Sequence, residues 1–441
     1  EVRARVQCAF REKVFRPVYR CLEETKPFWW FTATNNWNSV CLAGVTGAAL
    51  ALLPDKEERA YFVAAAEKYN VYGMEGYADD GYCSEGVGYY NYGFCAYILL
   101  REEVYRATQG KIDFFQTPKF VRIARYGKKI QMNEGVCPAY SDCRIGLSPD
   151  KFILSYCDRA LGITSAEEQP VLPKGNNLSL HLLELFTSRV AKVGMTDGIR
   201  QVLQEESDAL RAYYEQAGIL IARPAGGTSC RLAISAKGGT NAENHNHNDV
   251  GSYAVALGSE TMVGDQGGPN SYPGDYFNGD APQKYKIKGS FGHPVVDGRT
   301  QSSGGKAKGV VLQKEFTNEK DVFSINYTSA YSTPNLDKLI RTFVYDRQGK
   351  GSFTVGDEFT AKTPIRFETA ITTRADWKIL DDTHLLLATD SEQMIVAIEA
   401  SGKVAFTSET IEVNSPAYTR IGIALKNQSK EGYIRLKMYT K

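Results

Sequence analysis

Two of the five histidines in this chain of 441 residues stand in one short run, Asn244-His245-Asn246-His247-Asn248-Asp249. In an extended strand alternate residues point to the same face, so His245, His247 and Asp249 would project together if this run is a strand. Two imidazoles and a carboxylate on one face can begin a metal site. A lone histidine is more often packed or exposed than a ligand, but two of only five in this spacing favour chemistry.

Two further residues, Asp265 and His293, could complete such a site. Asp265 lies in the segment 262–267 (MVGDQG) and His293 in 290–296 (SFGHPVV), each near a predicted strand end or bend where neighbouring strands bring distant residues together. Two imidazole nitrogens, a carboxylate oxygen and a water would form a tetrahedral site, and these ligands favour zinc over calcium or magnesium. The remaining histidines that stand alone, His181 and His384, are assigned no ligand role.

Two segments nearer the start combine polar and aromatic residues. The first is 34–40 (TNNWNSV) and the second is 79–93 (DDGYCSEGVGYYNYG). Helix N-cap chemistry would explain the asparagines of the first, and a glycine-rich loop would explain the second. Both segments are nevertheless too polar and aromatic for ordinary helix faces, which favours a functional site.

The elements that must position these residues are helical in the first half of the chain. Apolar residues recur there at three- and four-residue spacing, which is typical of helices. Clear examples are 40–53, 60–69 and 178–190. Proline, glycine and asparagine clusters separate such stretches, so we predict a helical domain over residues 1–220.

After the turn Pro224–Gly227 the apolar residues alternate, which is typical of strands. The strand-like stretches are 230–234, 252–257, 367–372, 385–387, 394–398 and 418–425. Turn residues separate them, and no long helical segment intervenes. We therefore predict an antiparallel β domain of layered sheets over residues 221–441.

This helical first half argues against one known use of the His-x-His-x-Asp string. Metallo-β-lactamase-like hydrolases carry the string with another histidine directly after the aspartate. Here Val250 follows Asp249, and a long helical half does not suit that fold. These differences count against a zinc-dependent hydrolase, which is kept only as an alternative to the function proposed below.

The composition, 43% hydrophobic and 23% charged with a net charge of +1, is that of a globular protein and does not by itself indicate a polyanionic partner. No apolar run reaches the roughly 18 residues that span a bilayer.

The nine cysteines cannot all pair, because their number is odd, although Cys137 and Cys143 could close a small loop in an oxidising compartment. The chain opens at Glu1 in helical sequence, without an initiator methionine or signal peptide, so we expect a trimmed or processed start.

The motifs in their order resemble heparinase II/III-type lyases. They are Asn-Trp-Asn, then Asp-Gly with Glu-Gly and a tyrosine pair, then His-x-His-x-Asp, Asp-x-Gly and Gly-His-Pro-Val-Val-Asp-Gly, over roughly residues 30 to 300. The resemblance implies a multidomain α + β fold, with an (α/α) toroid of paired helices followed by an antiparallel β-sandwich. Chains of that family usually carry more helices before the asparagine motif, so the toroid is expected to be incomplete here. It also implies a periplasmic or secreted protein.

The activity that this resemblance implies is cleavage of a glycosidic bond at C4 of a uronic acid by β-elimination. The reaction needs a group that holds the uronate carboxylate, a base for the C5 proton and an acid for the leaving oxygen. By similarity, Asn36 holds the carboxylate, with Asn35 and Asn38 as close alternatives. An acidic polysaccharide or oligosaccharide is the expected partner, and a nucleic acid is not.

The same resemblance implies that His245 is the catalytic imidazole and Tyr89 the catalytic phenol. Tyr90 competes with Tyr89 because the doublet can be aligned in two ways. Tyr272 or Tyr276 could complete the site from the β domain.

A single zinc ion bound by His247, Asp265 and His293 would, by the same similarity, fix the loops that present His245 rather than activate a water. Glu85 would orient the site or bind sugar hydroxyls, and Trp37 would stack on a sugar ring.

Two details bear on the substrate. Trp37 stands where a histidine commonly follows the asparagine in the alginate-lyase branch, so alginate is disfavoured. Several basic residues near His293 could form a rim for an acidic glycan, although a solvated charged loop explains them equally well. They are Lys284, Lys286, Lys288, Arg299, Lys306 and Lys308.

A glycan-binding protein without catalysis, whose zinc only stabilises the β domain, is the third hypothesis, beside the lyase and the zinc-dependent hydrolase.

Overall fold

The computed structural model describes residues 2–164, 171, 181, 183, 190–205, 209–243, 245–268, 292–412 and 417–441. Two compact units are present. One comprises Glu1–Cys83, Tyr89–Lys128 and Pro149–Ser207, and the other comprises Ser84–Gly88, Lys129–Ser148 and Asp208–Lys441. The predicted domains, 1–220 and 221–441, are continuous, whereas two short segments of the first half join the second unit.

The helices lie in the first half of the chain, as predicted. In the described part of the chain they are α1 Val2–Phe10, α2 Arg16–Glu23, α3 Asn36–Leu52, α4 Lys56–Glu75, α5 Gly86–Tyr89, α6 Cys95–Ala107, α7 Pro118–Lys129, α8 Lys151–Ala160 and α9 Asp197–Glu205. A π-helical turn at Tyr90–Phe94 joins α5 to α6. The predicted helical stretch 178–190 lies largely outside the described residues.

Side-chain caps explain where α3 and α4 begin. The Asn35 carboxamide oxygen accepts a hydrogen bond from Trp37 N at 3.1 Å. The Asp55 carboxylate accepts from two backbone amides at the start of α4, at 2.8 and 2.9 Å. Both helices then bury one face in a shared core to which Leu42, Ala49 and Phe62 contribute.

The second unit is built from antiparallel strands, which confirms the predicted change from helices to strands. They are β1 Arg211–Tyr214, β2 Ile219–Ala222, β3 Leu232–Lys237, β4 Thr240–Asn241, β5 Tyr253–Leu257, β6 Glu260–Val263, β7 Val295–Val296, β8 Gly304–Lys308, β9 Val310–Phe316, β10 Lys320–Asn326, β11 Leu336–Asp346, β12 Ser352–Ile365, β13 Phe367–Thr373, β14 Asp376–Asp381, β15 His384–Ala388, β16 Gln393–Ala400, β17 Val404–Ile411, β18 Tyr418–Leu425 and β19 Ser429–Thr440. Each predicted strand stretch overlaps one of these, although β3 begins at Leu232 rather than at residue 230.

These strands form layered sheets around one hydrophobic core. The sheet orders are β1-β2-β3-β5-β6, β14-β15-β16-β19-β12-β11-β10-β9, β17-β18-β13-β7 and β4-β8. Leu232, Phe343 and Ile371 belong to three different sheets and lie in the same core cluster. In β11 and β12 buried residues largely alternate with more exposed ones, so the eight-stranded sheet packs one face inward.

A buried ion pair connects the sheets. Arg341 of β11 donates from Nε and Nη2 to the two carboxylate oxygens of Asp357 on β12, at 2.7 and 2.6 Å. Its Nη1 donates to the Gly251 carbonyl at 2.7 Å. The Tyr327 hydroxyl and the Thr369 hydroxyl also donate to Asp357. Because both carboxylate oxygens and all three guanidinium nitrogens find partners, the charges are tolerated in the core.

Arg341→Ala is expected to lower the free energy of unfolding of the β unit by about 3–5 kcal/mol, because it leaves the Asp357 charge buried without its partner. Chemical denaturation measures this loss. The matched control is Arg435→Ala, which removes a solvent-exposed pair with Glu399 whose side chains are 46% and 62% exposed. It should cost less than about 1 kcal/mol. Equal losses in the two variants would contradict the prediction.

Two further observations bear on the sequence-based expectations. None of the helices in the described ranges is long and apolar enough to cross a bilayer. Cys137 and Cys143 are both buried free thiols, so the proposed small loop between them is not closed in this structure. The periplasmic or secreted location stays a prediction.

Candidate functional site

The histidine run is a turn and not the strand that its alternating pattern suggested. It lies between β4 and β5, and Asn244 lies outside the described residues. Side chains from elsewhere fix the end of the run, since Asp249 N donates to Asn241 Oδ1 and the following Val250 N donates to Gln301 Oε1. His245 has a φ of +54°, in the left-handed region that favours glycine. Such backbone strain is concentrated at functional sites.

A carboxylate that the sequence analysis did not identify brings the two imidazoles together. Asp142 Oδ2 lies 2.6 Å from His245 Nδ1, and Asp142 Oδ1 lies 3.2 Å from His247 Nε2. His247 is 2% exposed, whereas the His245 side chain keeps 20% of its surface accessible. The two histidines therefore meet at one buried acceptor, although not on one face of a strand.

The charges of these three groups reinforce one another. Burial alone would raise the pKa of Asp142, but hydrogen bonds from His245 and His247 outweigh it and hold that pKa at about 2. Burial would lower the pKa of each histidine, but the hydrogen bond to Asp142 raises both. Asp142 is thus ionised at neutral pH and can accept hydrogen bonds from two imidazole N–H groups.

Asp249, the third residue of the pattern, has a different partner. Lys237 Nζ donates to both of its carboxylate oxygens at 2.8 Å, and both side chains are fully buried. The Lys237 ammonium also lies 5.5 Å from the centre of the Tyr140 ring. The expectation that Asp249 projects with the two histidines was therefore wrong, because its charge is neutralised inside the β core.

Close backbone packing holds Asp142 in place. Ser141 has a φ of +59°, and its hydroxyl donates to the Ser84 carbonyl at 2.6 Å. A Cβ on Gly86 would lie 2.8 Å from Cys143 Cβ. A Cβ on Gly267 or Gly268 would collide with the backbone of Cys143 or Asp142. The glycines of the Glu-Gly and Asp-x-Gly motifs thus admit the loop that carries Asp142.

Glu85 lies beside the catalytic candidate His245. Its Oε2 is 3.8 Å from His245 Nε2 and has no hydrogen-bond partner in the described part of the chain. The side chain is buried, and this burial raises the pKa of Glu85, while the charge of His245 opposes the rise. A carboxyl group with spare hydrogen-bonding capacity next to an imidazole can accept from a ligand or orient the ring.

The three predicted metal ligands, His247, Asp265 and His293, belong to the β unit, but their side chains do not form a ready cluster of ligand atoms. His247 Nδ1 lies 3.9 Å from Asp265 Oδ1. Asp265 and His293 line a small cavity of about 20 Å³, large enough for one water-sized occupant. Asp265 Oδ2 and His293 Nδ1 are buried and lack hydrogen-bond partners among the described residues. Within those residues, no three histidine, cysteine or acidic side chains already form a metal-ligand cluster.

The donor chemistry fits zinc. Two ligand atoms of a tetrahedral zinc ion lie about 3.3 Å apart, so the separation between His247 Nδ1 and Asp265 Oδ1 needs only a small adjustment. Burial and the nearby cations Arg341, Lys237 and Arg420 lower the pKa of His293 well below its usual value, which keeps the imidazole neutral as a ligand must be. The partnerless atoms of Asp265 and His293 are what such an ion would satisfy.

In the helical unit, the three asparagines of the first motif have different contacts. Asn35 caps α3. Asn38 is fully buried, and its Nδ2 donates to the Phe31 and Tyr69 carbonyls at 2.8 and 3.1 Å. Asn36 is half-buried and makes no side-chain hydrogen bond to the described residues. Of the three amides, that of Asn36 is therefore available to a ligand.

Glycine is required opposite Asn36. A Cβ on Gly93, in the π-helical turn between α5 and α6, would lie 2.9 Å from Asn36 Cβ. Such π-helical turns occur frequently at functional sites. Beside this asparagine, Trp37 is 52% exposed and packs edge-on against Trp29, which is 61% exposed. The exposed Trp29 was not singled out from the sequence.

The tyrosine doublet separates into a core residue and a partly exposed one. Tyr90 is fully buried, stacks on Phe94 at 5.2 Å, and donates its hydroxyl to the Ala124 carbonyl at 3.4 Å. Burial raises the pKa of its phenol well above the usual value. Tyr89 is half-buried and ends α5. The geometry makes Tyr90 a packing residue and leaves Tyr89 as the candidate phenol.

Other predicted site residues lie outside the described residues or at the surface. Tyr272 and Tyr276 are outside, as are Lys284, Lys286 and Lys288. Arg299, Lys306 and Lys308 are exposed. Arg299 Nη1 donates to the Ser332 carbonyl at 3.0 Å.

No motif in the sequence singles out Asp142. It stands 103 residues before His245 in a loop without a recognisable motif. Only the neighbouring glycines, which the motifs already contained, hinted that another backbone segment approaches closely.

The protein has the α + β fold class, because a helical unit is combined with a unit of layered antiparallel sheets. The second unit carries a candidate acid–base site, in which one carboxylate contacts two histidines. No family model matches the sequence, and no curated protein matches it. Solved structures do share its fold. They include a heparinase III with methylated lysines (12% identity, TM-score 0.62), a heparan sulfate lyase from Pedobacter heparinus (13%, 0.62) and another heparinase III (13%, 0.63).

Each of these likenesses covers 92% of this chain, but only 58%, 60% and 61% of the other chains. The chain thus spans about three fifths of their length. The chain has the heparinase III fold. This confirms the predicted fold class and the resemblance that the motifs suggested.

Gly268→Ala is expected to destabilise the β unit by about 1–3 kcal/mol, because the new Cβ collides with the Asp142 backbone. Chemical denaturation measures the loss. Gly226→Ala is the matched control, since a Cβ there meets no atom within 4 Å. If both variants were equally stable, the close packing of the Asp142 loop on Gly268 would be refuted.

Proposed function

We propose that the protein is a polysaccharide lyase that cleaves an acidic glycan at C4 of a uronic acid by β-elimination. The observation that supports this most directly is the geometry of His245. Its partly accessible imidazole is held at Nδ1 by a buried, ionised carboxylate, on a backbone in a strained conformation. A carboxylate at one ring nitrogen leaves the other nitrogen for proton transfer with a substrate.

The elimination requires removal of the C5 proton next to the uronate carboxylate, which is a weakly acidic position. In our proposal the Asn36 amide donates to that carboxylate and stabilises the charge that develops on it. Asn35 and Asn38 are less suited, because the cap of α3 and the helical core already use their side chains. The amide suits this role because it donates without ionising.

His245 and the Tyr89 phenol divide the proton transfers at C5 and at the leaving oxygen. Tyr89 is preferred to Tyr90 because Tyr90 is fully buried in an aromatic cluster. Glu85 orients His245 or accepts from sugar hydroxyls, and Trp37 provides a stacking face. Tyr272 or Tyr276 remains the predicted contribution from the β unit.

Incubation with heparan sulfate, alginate and glucuronate-bearing plant polysaccharides tests the proposal. β-Elimination leaves an unsaturated uronate whose conjugated double bond absorbs in the ultraviolet. We expect absorbance to rise with at least one of these glycans, and His245→Ala and Tyr89→Phe to slow it by about 10²–10⁴-fold, the usual contribution of a general acid or base.

Tyr90→Phe is the matched control for Tyr89→Phe, since it removes a phenol that lies in the core, and it should leave the rate unchanged. New reducing ends without absorbance would identify the hydrolase alternative instead. Binding without any cleavage would identify the non-catalytic glycan-binding protein. Either result would overturn the lyase proposal.

We further propose that His247, Asp265 and His293 hold one zinc ion that has a structural role. When bound, zinc would crosslink the turn that carries His245 to the segments that follow β6 and precede β7. Its support is the set of buried donor atoms without partners in the cavity beside Asp265. No proton transfer in the proposed mechanism depends on the ion.

Chelation is therefore expected to lower thermal stability and lyase activity together. A ligand present at 100 times its Kd stabilises a protein by about 2.7 kcal/mol, which sets the scale of the loss. His293→Ala should abolish this zinc-dependent stabilisation in thermal unfolding. The control is His384→Ala, whose histidine side chain is 38% exposed and pairs with Asp381. Rapid, reversible loss of activity at unchanged stability would contradict a structural role and favour metal-activated water.

A further inference from the structure

Asp142 divides its two carboxylate oxygens between two imidazoles that serve different purposes in the proposed enzyme. Oδ2 faces His245, the proposed catalytic residue, at 2.6 Å, and Oδ1 faces His247, a proposed zinc ligand, at 3.2 Å. The aspartate is 6% exposed. A carboxylate in this position can make the tautomer and orientation of one imidazole depend on those of the other.

We propose that Asp142 is a positioning residue that couples zinc binding at His247 to the tautomer and orientation of His245. The inference rests on the lyase function and the zinc site proposed above. It assigns to Asp142 no direct contact with the substrate.

The positions of the two ring nitrogens of His247 indicate which one would bind the metal and which one would donate to Asp142. Its Nε2 faces Asp142, and its Nδ1 faces Asp265 at 3.9 Å, so Nδ1 is the nitrogen placed to bind the metal. A neutral imidazole that binds a metal through Nδ1 carries its proton on Nε2. That N–H then donates to Asp142 Oδ1, the arrangement in which a carboxylate orients a metal-binding histidine.

The other carboxylate oxygen imposes the complementary tautomer on His245. Because Oδ2 is an acceptor, His245 must present Nδ1–H to it, which leaves Nε2 as the nitrogen for proton exchange. An ionised carboxylate can accept from both rings at once. An asparagine has one acceptor oxygen and one donor group, so it would force one of the two imidazoles to present a lone pair instead.

Strain gives this contact a further role. His245 and Ser141 both have positive φ values, +54° and +59°, a conformation that is unfavourable for residues other than glycine. The hydrogen bond between Asp142 and His245 joins these two strained turns. Without it, the His245 turn would be free to relax, and the imidazole would lose its fixed direction.

The test is a histidine-selective ¹⁵N NMR experiment on the whole chain, with the five histidine signals assigned by single substitutions. At alkaline pH, where the imidazoles are neutral, wild-type His245 should carry its proton on Nδ1. Addition of zinc should shift the His245 signals of the wild type. In Asp142→Asn, His245 or His247 should show the opposite tautomer, and zinc should leave His245 unchanged.

Two quantitative readouts accompany the spectra. Calorimetry with zinc should show about 10- to 100-fold weaker binding to Asp142→Asn, the usual effect of losing a carboxylate behind a metal-binding histidine. If a substrate glycan is found, kcat should fall by about 10²-fold with little change in KM, because orientation of the acid–base group is lost and not binding.

Asp158→Asn is the matched control, because Asp158 is also 6% exposed and accepts from Arg125 and Lys128 in the helical unit. It should alter neither the His245 tautomer nor the zinc affinity. Both quantities unchanged in a folded Asp142→Asn would overturn the proposal. Should that variant fail to fold, the wild-type spectrum decides, since a proton on His245 Nε2 overturns the proposal as well. If no glycan is cleaved, the lyase function fails, while the tautomer and zinc readouts still judge Asp142.

Discussion

Each oxygen of Asp142 has an imidazole within 3.2 Å, and this shared carboxylate is the contact on which the candidate site depends. A carboxylate that is 6% exposed needs strong donors to remain ionised, and the two histidines supply them. The requirement runs in both directions, since the buried His247 and the partly accessible His245 each need an acceptor for a ring N–H. The glycines that allow the loop to approach, and the positive φ values of Ser141 and His245, follow from this need for close contact.

The β core provides rigid starting points for these loops. β3 and β5 are buried along their whole length, and the histidine turn leads directly into β5. Gly264, next to Asp265, is fixed to Thr372 of β13 by hydrogen bonds at 3.1 and 2.7 Å. The ion pair between Arg341 and Asp357 further ties these strands to the eight-stranded sheet through Gly251 and Thr369. Fixed strands of this kind can hold a site within the small tolerance that proton transfer demands.

In the helical unit, neighbouring residues of similar type have separate tasks. Among the asparagines, Asn35 begins a helix and Asn38 fills a buried polar position, which leaves Asn36 available. Of the two tyrosines, Tyr90 packs in the core and Tyr89 does not. The sequence allowed two interpretations of this motif, a helix cap and a functional site. Both apply, because Asn35 caps the helix and the neighbouring Asn36 offers a candidate ligand-binding amide.

The sequence by itself determined the order of helices and strands, because the spacing of apolar residues directly reflects which face of each element is buried. It also indicated the histidines, the asparagine motif and the glycine-containing segments, whose residue types are characteristic. Only the tertiary structure decided that the histidine run is a turn, that Asp249 pairs with Lys237, and that Asp142 joins the two imidazoles. The pairing of Asp249 with Lys237 spans only 12 residues, whereas Asp142 lies more than 100 residues before the histidines. Each outcome depends on which side chains are buried together in the folded chain, and no local pattern of residue types encodes that.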